Sequence, residues 1–216
     1  MSHCPTVQGV RREFIFLAAI GVSTLVVGCS TDAPPAAGPR PANWASPVKA
    51  NAGLPNLHRV NAFLYRSAQP SNEGFIFLDT RASLANSDRP IKTVISLRAS
   101  NADAQLASAS SGLRLERIRF NTWHPEDEDV VKFLRIVTTP ALQPVLVHCQ
   151  HGSDRTGTMV AIYRIAFEGW TKAQATDEMI NGGFGFHPMW QNLLAYIDAL
   201  DVNAIKAKVT KEGPWQ

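Results

Sequence analysis

The sequence predicts an α/β fold, with a central, mostly parallel sheet flanked by helices. Three observations lead there. The runs IKTVISL (91–97) and PVLVH (144–148) are short, apolar and β-branched, the mark of strands buried on both faces. Segments of helical periodicity lie between and after such runs, so strands alternate with helices. A chain of 216 residues with 45% apolar content supplies one domain with a sizeable core, plus extensions.

The elements follow in order. FLYRSAQPS (63–71) reads as a short strand ending in a turn. SNEGFIFLDTRASLAN (71–86) reads as a helix capped by Ser71, with Phe75, Leu78 and Leu84 at helical spacing. After the strand at 91–97, ADAQLASASSG (102–112) predicts a helix ended by Gly112. LRLERIRF (113–120) alternates apolar and basic residues, as a half-buried strand does. PEDEDVVKFLRIVTT (125–139) is a helix with Pro125 and four acids at its start, where the macrodipole favours them. Beyond the strand at 144–148, TGTMVAIYRIAFEG (156–169) is a mostly apolar helix ended by Gly169. Two more helices, TKAQATDEMING (171–182) and PMWQNLLAYIDAL (188–200), are joined by GGFGFH.

The first residues do not belong to this fold. Arg11 and Arg12 precede an apolar run from Phe14 to Val27, the layout of an export signal and too short for a permanent membrane span. LVVGCS (25–30) resembles the bacterial lipobox, which implies that Cys29 carries a lipid and begins the mature chain. RREFI resembles a twin-arginine export signal. The Pro- and Ala-rich segment after Cys29 has little to bury and reads as a tether. The expected organisation is therefore an export signal over 1–28, a lipid-anchored tether over 29–53 and a folded domain over 54–216, held on the periplasmic side of a bacterial membrane.

Charge narrows the partners. A formal charge of +3 without any Lys/Arg-rich run gives no nucleic-acid footprint. The three cysteines are Cys4 in the signal, Cys29 at the lipobox and Cys149, which is left alone in the folded part. A lone thiol in an exported domain forms no internal disulfide and is kept for burial or for use.

VLVHCQHGSDRTGTMVA (145–161) answers that point. A strand passes through the seven-residue stretch CQHGSDR into a helix. Unpaired backbone N–H groups and the positive end of a helix dipole make such a loop a receptor for a tetrahedral oxyanion. The segment lacks the Gly-x4-Gly-Lys-Ser/Thr of a nucleotide-binding loop. It opens with Cys149 and closes with Arg155. A metal site built from His148, Cys149 and His151 is disfavoured, because no second ligand cluster with metal spacing accompanies it.

His148, Cys149, Gly152, Arg155, Thr156 and Gly157 together resemble the signature of the cysteine-dependent protein tyrosine and dual-specificity phosphatases. LHRVNAFLYRSAQPS and NGGFGFHPMWQN resemble segments of exported bacterial members, so the likeness runs from about Leu57 to Asp201. The likeness implies a phosphate-binding loop at a strand-to-helix junction and hydrolysis through a phosphocysteine, with no cofactor. Cys149 is then the nucleophile, made a thiolate by inward amides, the dipole and the guanidinium. Arg155 grips two phosphate oxygens in a bidentate fork. Gln150, His151, Gly152, Ser153, Asp154 and Arg155 form the phosphate-binding loop, and Thr156 stabilises the departing thiolate. His148 supports the loop from behind, Gly152 permits its strained backbone and Gly157 permits close helix packing.

The family also places a proton donor on an upstream loop. FNTWHPEDEDV (120–130) fills that interval but has no Asp before Pro125. Asp127 is the first candidate, followed by Glu126, Asp129 and His124; Asp154, facing outward from the loop, is a further one. Acids in a first helical turn are ordinary capping residues, which is the competing reading. Arg66 either supports the substrate wall or pairs with a surface acid. His187 reads as structural, and Trp123 and Phe186 as packing. The implied substrate is a phosphorylated protein, phosphotyrosine first, then phosphoserine or phosphothreonine. Inositol phosphates, phosphoinositides or a non-catalytic phosphate-binding role are the alternatives. Nothing in the residues sets an oligomeric state.

Overall fold

The periodicities resolve into six strands and seven α-helices in the computed structural model, which describes residues 40–49, 53–79, 90–100, 103–107 and 112–216. The export signal, Cys29, Leu84 and most of the predicted 102–112 helix beyond Ala107 lie outside the described residues.

Strands β1 (Ser46–Pro47), β2 (His58–Arg59), β3 (Leu64–Ser67), β4 (Thr93–Ser96), β5 (Arg114–Arg117) and β6 (Val145–His148) form one sheet in the order β1-β2-β3-β6-β4-β5. The four strands from β3 to β5 run parallel, and β1 and β2 extend the sheet antiparallel. β6 lies between β3 and β4, in a register that sets Ser67, His148 and Ser96 level at the carboxyl ends. Successive side chains of a strand point to opposite faces, and both faces are covered. Leu64, Ile95, Val145 and Val147 face one apolar cluster; Tyr65, Val94 and Leu146 face another. This double burial is why those strands read as unbroken apolar runs.

The first face carries α3 (Asp127–Thr138), α4 (Asp154–Phe167), α5 (Lys172–Asn181), α6 (Gln191–Ala199) and α7 (Val202–Glu212). α4 is buried almost all round, consistent with its mostly apolar sequence. The second face carries α1 (Asn72–Asp79), whose Phe75 and Leu78 pack beside Leu54 and Leu57. Ser71 Oγ accepts the Gly74 N–H at 3.3 Å, the expected cap. The four-residue α2 (Asp103–Leu106) follows β4. Thr171 and Gln174 close a reciprocal capping box on α5.

Several expectations change. α4 starts at Asp154, two residues before the expected Thr156, so the loop after β6 is the five residues Cys149–Ser153. β5 lies at the sheet edge, where Leu115 is exposed; only Ile118 and Phe120 beyond it bury. α7 was not anticipated, although Asp201 caps it through the Ala204 N–H and Ile205 and Val209 anchor it. The packed chain also extends before Leu54. Arg40 to Val48 lie against the domain, Ala45 is fully buried, and its N–H donates to Glu178 Oε1 at 2.6 Å.

Candidate active site

The site grows from the level ends of β3, β6 and β4. β6 stops at His148, and the chain turns through Cys149–Ser153 into the first turn of α4. Cys149 is 2% exposed, and its sulfur accepts the Gly152 N–H at 3.2 Å. The turn needs glycine at 152 twice over. Its φ is +73°, and a Cβ there would meet the Ser67 carbonyl oxygen at 2.5 Å. Gly157, on the first turns of α4, lies so close to α5 that a Cβ would meet Met179 Cγ at 2.9 Å.

Behind the loop stands a polar chain, buried at His148 and Asp103 and partly exposed beyond them. His148 Nε2 faces Asp103 Oδ2 at 2.8 Å, and His148 Nδ1 faces the Cys149 carbonyl at 3.2 Å. Gln69 Nε2 donates to Asp103 Oδ1 at 2.9 Å, and Arg98 Nη1 donates to Gln69 Oε1 at 2.7 Å. Burial works against the charge on Asp103. The His148 hydrogen bond and charge, with Gln69 and Arg98 behind, outweigh it and hold the carboxyl below its ordinary value.

Arg66 corrects both sequence readings. It neither walls a substrate nor pairs with a surface acid, but lies fully buried under the loop, Nη2 donating to the Gly152 carbonyl at 2.7 Å. The segment after α5 clamps the loop from the side. Ser153 Oγ donates to the Phe184 carbonyl at 2.6 Å, and Asn56 Nδ2 bridges the His151 and Phe184 carbonyls. Asp154 does not face outward as expected; it is buried and accepts from His187 N and Nδ1. The His151 and His187 rings lie 5.5 Å apart at the rim. Gln150 is exposed, and its carbonyl accepts the Gln69 N–H. Arg155 is partly exposed and donates through Nη1 to the Leu97 carbonyl at 3.2 Å. A buried sulfur, a glycine-shaped turn at a helix start and a nearby guanidinium form a receptor for a tetrahedral oxyanion.

Comparison with known proteins agrees with this geometry. A family model described as a DSP-PTPase phosphatase fused to NAD+ kinase matches residues 40–191. The chain belongs to this phosphatase family. Dual specificity protein phosphatase TpbA of Pseudomonas aeruginosa is 32% identical over 193 residues, covering 89% of this chain and 82% of the relative. The crystal structure of TpbA in complex with pTyr superposes with a TM-score of 0.64 at 30% identity, covering 79% of this chain and 98% of that one. The catalytic core of a Saccharomyces cerevisiae PP-IP phosphatase shares the fold, with a TM-score of 0.62 at 24% identity over 77% of this chain and 100% of that one.

Not every expected residue joins the phosphatase site. Thr156 is fully buried, but its hydroxyl finds no hydrogen-bond partner among the described residues, so the implied contact to the sulfur is not made. Asp127 turns toward α6 and α7, accepting from Tyr196 OH at 2.9 Å with Lys208 Nζ at 3.7 Å. Burial, then Asp127 itself, pushes the Tyr196 phenol well above its ordinary value, so it stays a donor. Asp129 lies nearly opposite Asp127 around α3. It is half-buried, and burial followed by the Glu126 charge pushes its carboxyl above the ordinary value. Glu126 and His124 are exposed. Trp123 is not packing: it is 71% exposed, edge-on to Trp190, while Asn192 Nδ2 fastens its loop through the Thr122 carbonyl at 2.7 Å. Phe186 packs partly buried against the larger core cluster.

Sequence reasoning missed Asp103, Gln69 and Asn56. Their partners are distant in sequence, and each reads locally as an ordinary turn or cap residue.

Proposed function

We propose that this phosphatase hydrolyses phosphotyrosine in protein substrates, with phosphoserine and phosphothreonine as secondary substrates, through a phosphocysteine formed on Cys149. The observation that carries this reading is the Cys149 sulfur at the base of the glycine-shaped loop, under the N-terminus of α4. The similarity to TpbA, seen in complex with pTyr, supports the substrate class.

The sulfur attacks phosphorus and the ester oxygen leaves; water then attacks the phosphocysteine and releases phosphate. Arg155 and the amides of residues 150–155 hold the phosphoryl oxygens as charge shifts among them. His148, tied to Asp103, fixes where the loop begins. Thr156 takes up its role on the leaving sulfur by turning its unengaged hydroxyl toward it. For the leaving group's proton Asp129, half-buried and held above its ordinary value, is the first candidate, ahead of Asp127, which is engaged by Tyr196 and Lys208, and of Glu126 and His124. An acid held above its ordinary value keeps its proton to higher pH. Residues 1–28 act as export signal, Cys29 as lipid carrier and 29–39 as tether, placing the domain at the periplasmic face of a membrane. Among the described residues no helix is long and apolar enough to cross one.

The test is turnover of p-nitrophenyl phosphate and of phosphotyrosine, phosphoserine and phosphothreonine peptides, with inositol phosphates in the same panel. Cys149→Ser should abolish every activity. Preferred turnover of an inositol phosphate would overturn the substrate assignment, and phosphate binding without turnover would overturn the enzymatic one. Asp129→Asn should slow hydrolysis of poor leaving groups by about 10²–10⁴ and spare p-nitrophenyl phosphate. If Asp127→Asn does this instead, the acid is misassigned. Cys29→Ser should release the protein from the membrane fraction; retention there would sink the anchor.

A further inference from the structure

Asn56 holds a backbone conformation that few side chains adopt. Its φ is +54°, and among the described residues it is the one non-glycine with a positive φ. Asparagine tolerates that region better than most residues, at a cost that surrounding contacts must offset. His58 Nδ1 faces the Asn56 carbonyl at 3.1 Å. Asn56 Nδ2 donates to the His151 carbonyl at 2.9 Å and to the Phe184 carbonyl at 3.0 Å, so both amide hydrogens are used. Two carbonyl acceptors fix which end of the amide meets the loop, since only its NH2 donates.

The His151 carbonyl belongs to the same peptide unit as the Gly152 N–H. That unit is trans, so its C=O and N–H point in opposite directions within one plane. Asn56 holds one end, and the other end meets the Cys149 sulfur at 3.2 Å. Ser153 Oγ adds only a 3.4 Å approach to the His151 carbonyl, being committed to the Phe184 carbonyl at 2.6 Å. The neighbouring units repeat the pattern. The Gln69 N–H donates to the Gln150 carbonyl at 3.2 Å, and Arg66 Nη2 to the Gly152 carbonyl at 2.7 Å. Consecutive carbonyls are drawn outward, and the N–H groups that follow them are turned the other way, toward the anion receptor. Gln69 acts through its backbone and Arg66 carries a charge. Asn56 is neutral, so its replacement alters the hold on the peptide and no charge.

We propose that Asn56 is a positioning residue of the phosphatase site. By holding the His151 carbonyl outside the loop, it keeps the Gly152 N–H aimed into the cradle, at the Cys149 sulfur and at the phosphoryl group bound there. Asn56 itself touches neither. This rests on the phosphocysteine reading for the use to which the cradle is put.

The test uses the full chain, with inorganic phosphate as the probe in ¹H–¹⁵N spectra and p-nitrophenyl phosphate for kinetics. Asn56→Gly removes the side chain and leaves a residue at ease with positive φ. Phosphate affinity should fall on the order of tenfold, with KM rising alongside, because a hydrogen bond to a charged group is misaimed. The ratio kcat/KM should drop by about a hundredfold, the cost of displacing a group at the reacting centre by roughly 1 Å. In wild type the Gly152 amide resonance should move when Cys149→Ser replaces the sulfur; in Asn56→Gly that response should be lost. A purely structural role would lower the melting temperature and kcat alone. A folded Asn56→Gly with wild-type phosphate affinity, KM and Gly152 response overturns the proposal and leaves the phosphocysteine reading standing. A wild type that binds phosphate without turnover overturns the phosphocysteine reading, and the affinity and the Gly152 response still decide the role of Asn56. Should Asn56→Gly not fold, the Asn56 side-chain amide resonances of wild type decide. They should move as phosphate saturates the loop and polarises the shared peptide; resonances that stand still overturn the proposal.

Discussion

The Asp154 carboxylate accepts both the backbone N–H of His187, at 2.9 Å, and its ring Nδ1, at 2.8 Å. Asp154 begins α4 beside Arg155, and His187 ends the glycine-rich segment after α5. One carboxylate thus ties the phosphate loop to the wall beside it. Ser153 and Asn56 repeat the tie through the Phe184 carbonyl.

Asp154→Ala should loosen that wall. Two bonds to a buried carboxylate are lost, costing about 1–3 kcal/mol. In a chain of this size the melting temperature falls by roughly 2–4 °C per kcal/mol. Phosphopeptide KM should rise more than kcat falls, because the wall shapes the approach and not the nucleophile. Thermal melts and steady-state kinetics check both parts.

Gly152→Ala should nearly inactivate the enzyme. The added methyl combines a positive φ with a 2.5 Å approach to the Ser67 carbonyl, so the loop must move. A shift of about 1 Å at a reacting group costs on the order of a hundredfold in rate. Turnover of p-nitrophenyl phosphate measures the loss, and circular dichroism shows whether the fold survives.

Asp103 makes stability pH-dependent in a defined direction. Its carboxyl is held below the ordinary value when folded, so the unfolded chain binds the proton more readily. That stabilisation is present above the unfolded value of about 3.9 and is lost as pH falls through the folded value. Asp103→Asn should be less stable at neutral pH by about 1–3 kcal/mol, with a flatter fall below about pH 4. Urea titrations at several pH values test this.

Glu178→Ala should be the most destabilising of these changes. It leaves the buried Arg164 guanidinium with Glu168 as its remaining acid and strands the Ala45 N–H. Removing one partner of a buried ion pair costs about 3–5 kcal/mol. Glu178→Gln, which keeps the shape, should lose less. A melting temperature unchanged in Glu178→Ala would contradict the role given to this pair.

The sequence by itself determined the parallel sheet core, most of the helices and the chemistry of the loop. Those features have short periods: strands buried on both faces are apolar at every position. The loop depends on Cys149, Gly152 and Arg155 standing a few residues apart between a strand and a helix. α7 escaped notice because only Ile205 and Val209 bury along it, too thin a stripe to read without its partner α3.

Only the tertiary structure decided what surrounds that loop. Asp103 meets His148 across 45 residues, Arg66 meets Gly152 across 86, and Asp127 is drawn to Tyr196 across 69. Asp127 and Asp129 look equivalent as acids in one helical turn. Their different surroundings come from rotation about the helix axis and from what each side packs against. Burial and charge act through space, and their partners are set by how the sheet and helices close upon one another.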